Sequence, residues 1–300
     1  MKVGVVGAGA VGCYYGSQLA RAGVPVTFIA KEAHAQVIRD KGLACDINHS
    51  RIHLYPSVSS DFSALEGVDV VLVCVKTFDN EGVGQKIAPY LGTTTQVLSL
   101  QNGVETAEHL SRYVEKTVIS AIAYTATQLV APGHVVHHGG HDIVLDHGLR
   151  DSDIAALFLR SGFLVQFSEN LRKALWEKLT VNCACNALSA VLRKPYGQFL
   201  ATDVMIPVVR SLVEECRAVA GQIGIDISET ILDRILNLSH TMPTQYSSMA
   251  HDVMNGKKTE VDALNGFVMR TGEAVGISTP ANRLLCGVVT SFLGCSPSLK

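Results

Sequence analysis

A glycine-rich turn near the start of the chain constrains the fold more than any other feature. The apolar run at residues 2–6 predicts a strand, and Gly7-Ala8-Gly9-Ala10-Val11-Gly12 follows it at once, matching the pattern G-x-G-x-x-G. Residues 11–22 have the pattern of an amphipathic helix, and residues 25–30 predict a second strand. This order of strand, turn and helix is the context in which the pattern carries meaning.

Each glycine of the turn has a separate physical role. Gly7 permits the tight turn, Gly9 lets a pyrophosphate approach the backbone, and Gly12 lets the helix pack close to the strand. The helix N-terminus then faces the phosphate charge. We therefore predict a dinucleotide-binding loop that also includes Ala8, Ala10 and Val11. The alternative is a glycine-rich turn in another kind of α/β unit.

The end of the second predicted strand indicates which dinucleotide binds. An NAD-binding fold usually places Asp or Glu there to hold the ribose 2′-hydroxyl, but this chain has Lys31. A lysine attracts the 2′-phosphate that an acid would repel, so we predict NADP(H). Glu32 comes one residue later and could turn inward, and Lys31 could also be a solvated lysine at a strand end.

Composition excludes several classes of protein. The 300 residues are 47% hydrophobic and 17% charged, with a formal net charge of −2. No basic tract suggests nucleic-acid binding, and no window approaches the roughly 18 apolar residues of a membrane span. We therefore expect a cytoplasmic protein with two domains and neither nucleic acid nor membrane as a partner.

Cysteine and histidine do not predict a metal site. The eight cysteines are scattered through apolar segments without a C-x-x-C pair, and we interpret them as reduced core residues. Histidines crowd one stretch, at His134, His137, His138, His141 and His147. We predict a strand and hairpin over residues 135–145 with glycines at the turn, and alternation then puts His137 and His138 on opposite faces. A metal site would need a fixed ligand geometry, so we predict none.

The two halves of the chain differ in pattern. Strands and helices alternate in the first half, with a continuous apolar strand at residues 68–75 and a hairpin near residues 132–133 that we expect to extend the same sheet. Nearly every later segment is helical, beginning with one pattern over residues 171–192. We predict an α/β fold, in which residues 1–168 form an N-terminal Rossmann-type doubly wound sheet that binds NADP and residues 169–300 form a C-terminal all-α domain for substrate and catalysis.

The long helical pattern carries an unusual polar face. Lys178, Asn182 and Asn186 are spaced four residues apart, so they share one face of a helix whose other positions are largely apolar. Buried polar groups need partners, and a polar substrate would supply them. A solvated face is the alternative, although exposed helix faces usually carry Glu, Lys and Arg rather than short amides.

A second polar cluster follows Pro243. Ser248 and Met249 are predicted to start a helix, where a hydroxyl could receive a carboxylate. Glu260 is predicted to open the next helix, with Thr259 as its cap. From the residues alone, both features are more typical of helix capping.

Five motifs follow one another along the chain: the glycine loop with Lys31, the turn Val75-Lys76-Thr77, Gln101-Asn102-Gly103, Lys178-x3-Asn182-x3-Asn186 and Ser248-x11-Glu260. Their combination, order and spacing resemble the ketopantoate reductase (2-dehydropantoate 2-reductase) family over essentially the whole chain. It implies reduction of 2-dehydropantoate to pantoate with NADPH, on the pathway to pantothenate and coenzyme A.

The resemblance also implies a role for each matching residue. In the cofactor site, Gly7 to Gly12 hold the pyrophosphate, Lys31 and Lys76 serve the 2′-phosphate end, and Asn102 and Ala126 line the nicotinamide side. In the substrate site, Lys178 donates the proton, Asn182 and Asn186 hold the substrate hydroxyl, Ser248 takes the carboxylate, and Glu260 contacts the cofactor or orders Lys178. Asn102 is also assigned to the substrate site.

Two departures leave the substrate and the cofactor preference open. The family often has arginine where this chain has Lys31, which offers no bidentate fork to a phosphate. Tyr196 stands where some members have another substrate-contacting asparagine. A reductase of another branched 2-oxo acid and a catalytically silent NADPH-binding regulator are the alternative interpretations. The expected partner is a small 2-oxo acid, and a homodimer is the candidate assembly.

Overall fold

The computed structural model describes residues 1–47 and 50–294, and the chain divides into two compact units. The first unit is Met1–Leu171, and the second begins at Arg172. The sequence placed the domain boundary at residue 168. Cys295 lies outside the described residues.

The first unit contains two β-sheets connected by helices. Its strands are β1 (Val3–Val6), β2 (Val26–Ile29), β3 (Leu43–Ile47), β4 (Ser50–Leu54), β5 (Ser57–Ser59), β6 (Val70–Val73), β7 (Gln96–Ser99), β8 (Val118–Ser120), β9 (Ile122–Ala131), β10 (His134–Asp146) and β11 (Leu164–Ser168). Its helices are α1 (Ala10–Arg21), α2 (Glu32–Lys41), α3 (Asn80–Ile87), α4 (Thr106–Val114) and α5 (Asp153–Arg160). Short 3-10 helices occupy Phe62–Leu65, Thr77–Asp79, Ala88–Tyr90 and His147–Leu149.

The six-stranded sheet is parallel throughout and has the order β5-β2-β1-β6-β7-β8. Counted along the chain, this is the strand order 3-2-1-4-5-6 of a Rossmann sheet, and the order reverses between β1 and β6. The predicted fold class is confirmed. Ligands of such sheets bind beyond the carboxyl ends of the strands at this reversal, which is where the glycine loop lies.

The predicted hairpin does not extend that sheet, and this expectation is wrong. β9 and β10 pair antiparallel in a second sheet. In that sheet β10 also pairs with β11 and with β3, and β3 pairs with β4 at one edge. No turn forms at Gly139 and Gly140: β10 continues through them, and its register with β9 shifts there instead. His137 is buried and His138 is exposed, as expected if the two histidines lie on opposite faces of the strand.

Helix α1 forms much of the core of the first unit. It contacts β1 and β2 of the parallel sheet and β3, β9 and β10 of the second sheet. Cys13, Tyr14, Tyr15 and Leu19 on this helix are fully buried. Burial of both faces fixes α1, and its N-terminus is therefore held at the glycine loop.

The second unit is helical in its described part. Its first helix, α6 (Leu171–Leu192), begins at the last residue of the first unit. The others are α7 (Tyr196–Phe199), α8 (Met205–Gln222), α9 (Ile231–Thr241), α10 (Ser248–Met254), α11 (Asn265–Val275) and α12 (Pro280–Gly294). The sequence predicted the bounds of α6. Glu260 does not open a helix, because residues 261–264 form a turn and α11 begins only at Asn265.

A buried hydrogen-bond network holds four of these helices together. Asn265 Nδ2 donates to the carbonyl oxygen of Cys183 in α6 at 3.1 Å and to Asn282 Oδ1 at 3.0 Å. Asn282 Nδ2 donates in turn to Glu215 in α8 at 2.8 Å. Asn265 and Asn282 are fully buried, so each bond replaces one to water and would be costly to lose.

In residues 1–47 and 50–294, no helix is both long enough and apolar enough to cross a bilayer. Over the same residues, no three His, Cys, Asp or Glu side chains gather as a metal site requires.

Candidate active site

The glycine loop has the geometry that its sequence requires. Gly7 adopts a φ of +100°, and a Cβ atom there would lie 2.8 Å from the backbone nitrogen of Val75. A Cβ atom on Gly12 would lie 2.1 Å from the carbonyl oxygen of Gly7. A Cβ atom on Gly9, by contrast, would meet no atom of the described residues within 4 Å. Gly7 and Gly12 are therefore needed for packing, whereas Gly9 leaves space that a ligand could occupy.

Helix α1 begins beside that space. Gly9 is its N-cap residue, with no side-chain cap, and no acidic residue lies in the first turn. The first amides of a helix lack intrahelical acceptors and carry positive partial charge. The loop with Ala8, Ala10 and Val11 thus fits an anionic group such as a pyrophosphate.

The parallel sheet brings three of the predicted cofactor residues to one edge. Lys31, Lys76 and Asn102 each follow the carboxyl end of a strand, β2, β6 and β7 respectively. Ala126 lies instead in β9 of the second sheet, opposite Gly139. Its predicted place at the nicotinamide therefore depends on the second sheet rather than on the Rossmann edge.

Lys31 and Glu32 have different surroundings. Lys31 is exposed and is the N-cap residue of α2. The Glu32 carboxylate accepts hydrogen bonds from Ser60 Oγ and from Arg39 of the same helix. These contacts, Ser60 first, lower the pKa of Glu32. Glu32 is engaged by neighbouring side chains, so Lys31 is the charged residue at the end of β2 that remains available to a ligand.

The polar face of α6 carries a lysine in an unusual environment. Lys178 is partly buried, and burial lowers its pKa to about 8, although the Glu260 carboxylate opposes this shift. Glu260 is itself buried, at 6% exposure. A lysine with this pKa can both hold and release a proton near neutral pH.

Two asparagines follow Lys178 on the same face. Asn182 Nδ2 is buried and has no hydrogen-bond partner among the described residues. Asn186 is 5% exposed, and its carbonyl oxygen accepts a hydrogen bond from Ser247 Oγ at 3.0 Å. A buried donor without a partner is costly, and a ligand oxygen would satisfy it. The solvated-face alternative does not describe these asparagines.

The structure distinguishes the two serines at the start of α10, one of which caps the helix while the other is exposed. Ser247 is the N-cap: its Oγ accepts from the amide of Ala250 at 3.0 Å, and its own amide donates to Ser189 Oγ at 3.2 Å. Ser248 is the first helical residue and is exposed. The interpretation of Ser248 as only a helix cap is therefore wrong, and its hydroxyl remains a candidate for substrate binding.

We expect opposite phenotypes from the two serines. Ser247→Ala removes the cap and a buried hydrogen bond, so it should lower the free energy of unfolding by about 1–3 kcal/mol. Ser248→Ala should leave the melting temperature nearly unchanged and raise KM for a 2-oxo acid about 10-fold, because a hydrogen bond to a carboxylate contributes about 1.5–3 kcal/mol. Melting temperature and KM are measured on both variants. An unchanged KM in Ser248→Ala would remove it from the substrate site.

The strand order, the glycine loop and the helical second unit define the class: a Rossmann-type protein with a separate C-terminal helical unit. Comparison with known families makes the assignment specific. The family model described as ketopantoate reductase PanE/ApbA matches residues 3–148, and its C-terminal counterpart matches residues 170–292. The chain belongs to the ketopantoate reductase family.

Individual relatives agree with this assignment. The chain is 30% identical over 294 residues to the 2-dehydropantoate 2-reductase of Archaeoglobus fulgidus, covering 96% of each sequence. It is also 30% identical to that of Caulobacter vibrioides, covering 97% of this chain and 98% of the relative.

Solved structures of two kinds are similar to this fold. A PanE/ApbA family ketopantoate reductase from Ralstonia eutropha JMP134 has 43% identity and a TM-score of 0.93, covering 98% of this chain and 99% of its own. A D-mandelate dehydrogenase, solved with NADH and anilino(oxo)acetate, has 25% identity, a TM-score of 0.92 and the same coverage. The fold therefore occurs both in a protein named a ketopantoate reductase and in one named a D-mandelate dehydrogenase.

Proposed function

We propose that this protein reduces ketopantoate to pantoate with NADPH, in the cytoplasm, on the route to pantothenate and coenzyme A. The observation that carries the proposal is the polar face of α6. There a partly buried lysine with a pKa of about 8 stands near the buried carboxylate of Glu260, and Asn182 offers a buried amide that has no hydrogen-bond partner in the described part of the chain. These groups match the needs of a carbonyl reduction.

Each candidate residue of the second unit has a separate role in that reaction. NADPH, when bound, supplies a hydride to the carbonyl carbon. Lys178 donates its proton to the carbonyl oxygen and stabilises the developing negative charge. Asn182 and Asn186 hold the substrate hydroxyl, and the Ser248 hydroxyl binds the carboxylate. Glu260 keeps Lys178 protonated, because its carboxylate raises the lysine pKa against the effect of burial.

The residues of the first unit bind and select the cofactor. The open space at Gly9 and the N-terminus of α1 fit the pyrophosphate. Lys31 and Lys76 attract the 2′-phosphate. Asn102, with Ala126, lines the nicotinamide. The NADH in the mandelate dehydrogenase structure supports a nicotinamide cofactor for this fold, and Lys31 supports the phosphorylated form here.

Reduction of another 2-oxo acid is the second candidate, and Tyr196 favours it. This residue is buried at 9% exposure, its amide donates to the carbonyl oxygen of Gln245 at 2.9 Å, and its ring packs edge-on against Phe199. Burial raises the pKa of its hydroxyl. An aromatic side chain in place of an asparagine suggests a less polar acid, and the likeness to a mandelate dehydrogenase solved with anilino(oxo)acetate suggests an aromatic one. A silent NADPH-binding regulator is disfavoured, because it would need neither Lys178 nor Glu260.

A panel of keto acids tests the proposal directly. NADPH oxidation is followed with ketopantoate, 2-oxoisovalerate, pyruvate and phenylglyoxylate at equal concentrations. We expect ketopantoate to exceed 2-oxoisovalerate in kcat/KM by at least about 10²-fold, because a site built to bond a hydroxyl rejects an analogue that lacks it. The highest kcat/KM with 2-oxoisovalerate, pyruvate or phenylglyoxylate would instead establish the second candidate. No oxidation with any acid would favour the regulator.

A further inference from the structure

Two buried amide side chains connect the loops that follow β6 and β7. Gln101 is 7% exposed and Asn80 is fully buried. Gln101 Nε2 donates to the carbonyl oxygen of Val75 at 2.9 Å and to Asn80 Oδ1 at 2.5 Å. Ser99 Oγ donates to Gln101 Oε1 at 3.0 Å, and Asn80 Nδ2 donates to the carbonyl oxygen of Thr106 at 3.2 Å. This chain of hydrogen bonds joins the ends of two strands to the first residues of α3 and α4.

The amide pair acts on loops that carry proposed cofactor residues. Lys76 directly follows Val75, whose carbonyl oxygen accepts from Gln101. Asn102 directly follows Gln101 itself. Lys76 and Asn102 are therefore adjacent in sequence to residues that the network holds, Val75 and Gln101 respectively.

We propose that Gln101 and Asn80 are positioning residues that hold Lys76 and Asn102 in place for the cofactor. The inference rests on the proposed function, since it takes Lys76 to serve the 2′-phosphate and Asn102 the nicotinamide. A lysine is flexible and a loop amide is mobile, so binding is weaker when their backbone must be ordered at the same time. The network fixes that backbone before the cofactor arrives.

The chemistry of this network requires an amide at position 101. Gln101 uses two donors on Nε2 and one acceptor on Oε1. A carboxylate has no donor. Gln101→Glu therefore keeps the size of the side chain but sets a charge against the carbonyl oxygen of Val75 and the Oδ1 of Asn80. Gln101→Met removes the same donors without adding charge.

Thr95 offers a matched control at the opposite edge of the same two strands. Its Oγ1 donates to the carbonyl oxygen of Val68 at 2.8 Å, and the side chain is 7% exposed. Thr95 precedes β7 and Val68 precedes β6, so this bond connects the two strands at their amino ends. The bond from Gln101 to Val75 connects the same two strands at their carboxyl ends. Thr95→Val removes a comparable buried hydrogen bond far from the proposed cofactor residues.

The experiment measures dissociation constants for NADPH and NADH from the fluorescence of the reduced nicotinamide, together with melting temperatures. In Gln101→Glu we expect the NADPH constant to rise about tenfold, the scale of one lost charge-assisted contact. The NADH constant should rise less, so the preference for NADPH falls. Thr95→Val should lower the melting temperature and leave that preference unchanged.

Gln101→Met decides the matter if Gln101→Glu does not fold. The inference would be overturned if the folded Gln101 variants kept the dissociation constants of the unmodified protein. It would also be overturned if Thr95→Val lost as much of the preference for NADPH as the Gln101 variants do. The unmodified protein separately tests the cofactor assignment. If it does not prefer NADPH, that assignment is wrong. The positioning role is then tested through Asn102, which would contact the nicotinamide of either cofactor. In that case Gln101→Met should raise the dissociation constant for NADH more than Thr95→Val does.

Discussion

Replacing Lys178 by alanine should lower kcat by about 10²–10⁴-fold, the usual contribution of a positioned general acid. The proton that neutralises the product oxygen then has to come from water, and the developing charge loses its cation. NADPH affinity should change little, because the glycine loop, Lys31 and Lys76 belong to the other compact unit. Steady-state kinetics and cofactor titration measure the two effects separately.

The pH dependence distinguishes proton donation from charge alone. The pKa of Lys178 is lowered to about 8, so kcat/KM for reduction should fall as pH rises through about 8 and the lysine loses its proton. Lys178→Arg keeps the charge but cannot release a proton at these pH values. Its kcat should remain low, and the fall near pH 8 should disappear.

Two residues of the same helix provide controls for the Lys178→Ala experiment. Arg172→Ala removes an exposed cation from the start of α6 and should leave kcat unchanged. Trp176, the one tryptophan of the sequence, is fully buried on α6, so its fluorescence reports whether the helix remains packed. A Lys178→Ala variant with normal fluorescence and normal kcat would refute the assignment of Lys178 as the donor.

Local patterns predicted the parts of this molecule that depend on neighbouring residues. The glycine loop follows from strand, turn and helix within a few residues, and the bounds of α6 follow from helical periodicity over residues 171–192. The shared face of Lys178, Asn182 and Asn186 is likewise a property of one helix. What the sequence could not give was the effect of burial on the pKa of Lys178.

Features that depend on distant pairing were missed. The second sheet forms because β10 pairs with β3, a segment about ninety residues earlier, and strand patterns do not identify their partners. Gln101 was part of a recognised motif, yet its bond to Asn80 is visible only in three dimensions. Ser247 and Ser248 are identical in type, so only the backbone geometry shows which one caps the helix.

Replacing Lys31 by aspartate should reverse the proposed preference for NADPH over NADH without harming the fold. Lys31 is the exposed N-cap residue of α2, and aspartate is a preferred N-cap residue, so the melting temperature should stay the same or rise. The new carboxylate would repel the 2′-phosphate and could bond a ribose 2′-hydroxyl instead. We expect NADPH binding to weaken by about 1–3 kcal/mol, the scale of a charge-assisted contact.

The matched control is Lys41→Asp, which changes the charge equally at the last residue of the same helix. Because Lys41 lies at the other end of α2, this variant should keep its preference for NADPH, apart from a small loss that salt screens. Dissociation constants for NADPH and NADH are measured on both variants at two salt concentrations. If Lys31→Asp binds NADPH as the unmodified protein does, Lys31 is a solvated lysine at a strand end, and Lys76 becomes the candidate for the proposed preference. If both variants lose NADPH equally, the effect is one of net charge and assigns no contact to Lys31.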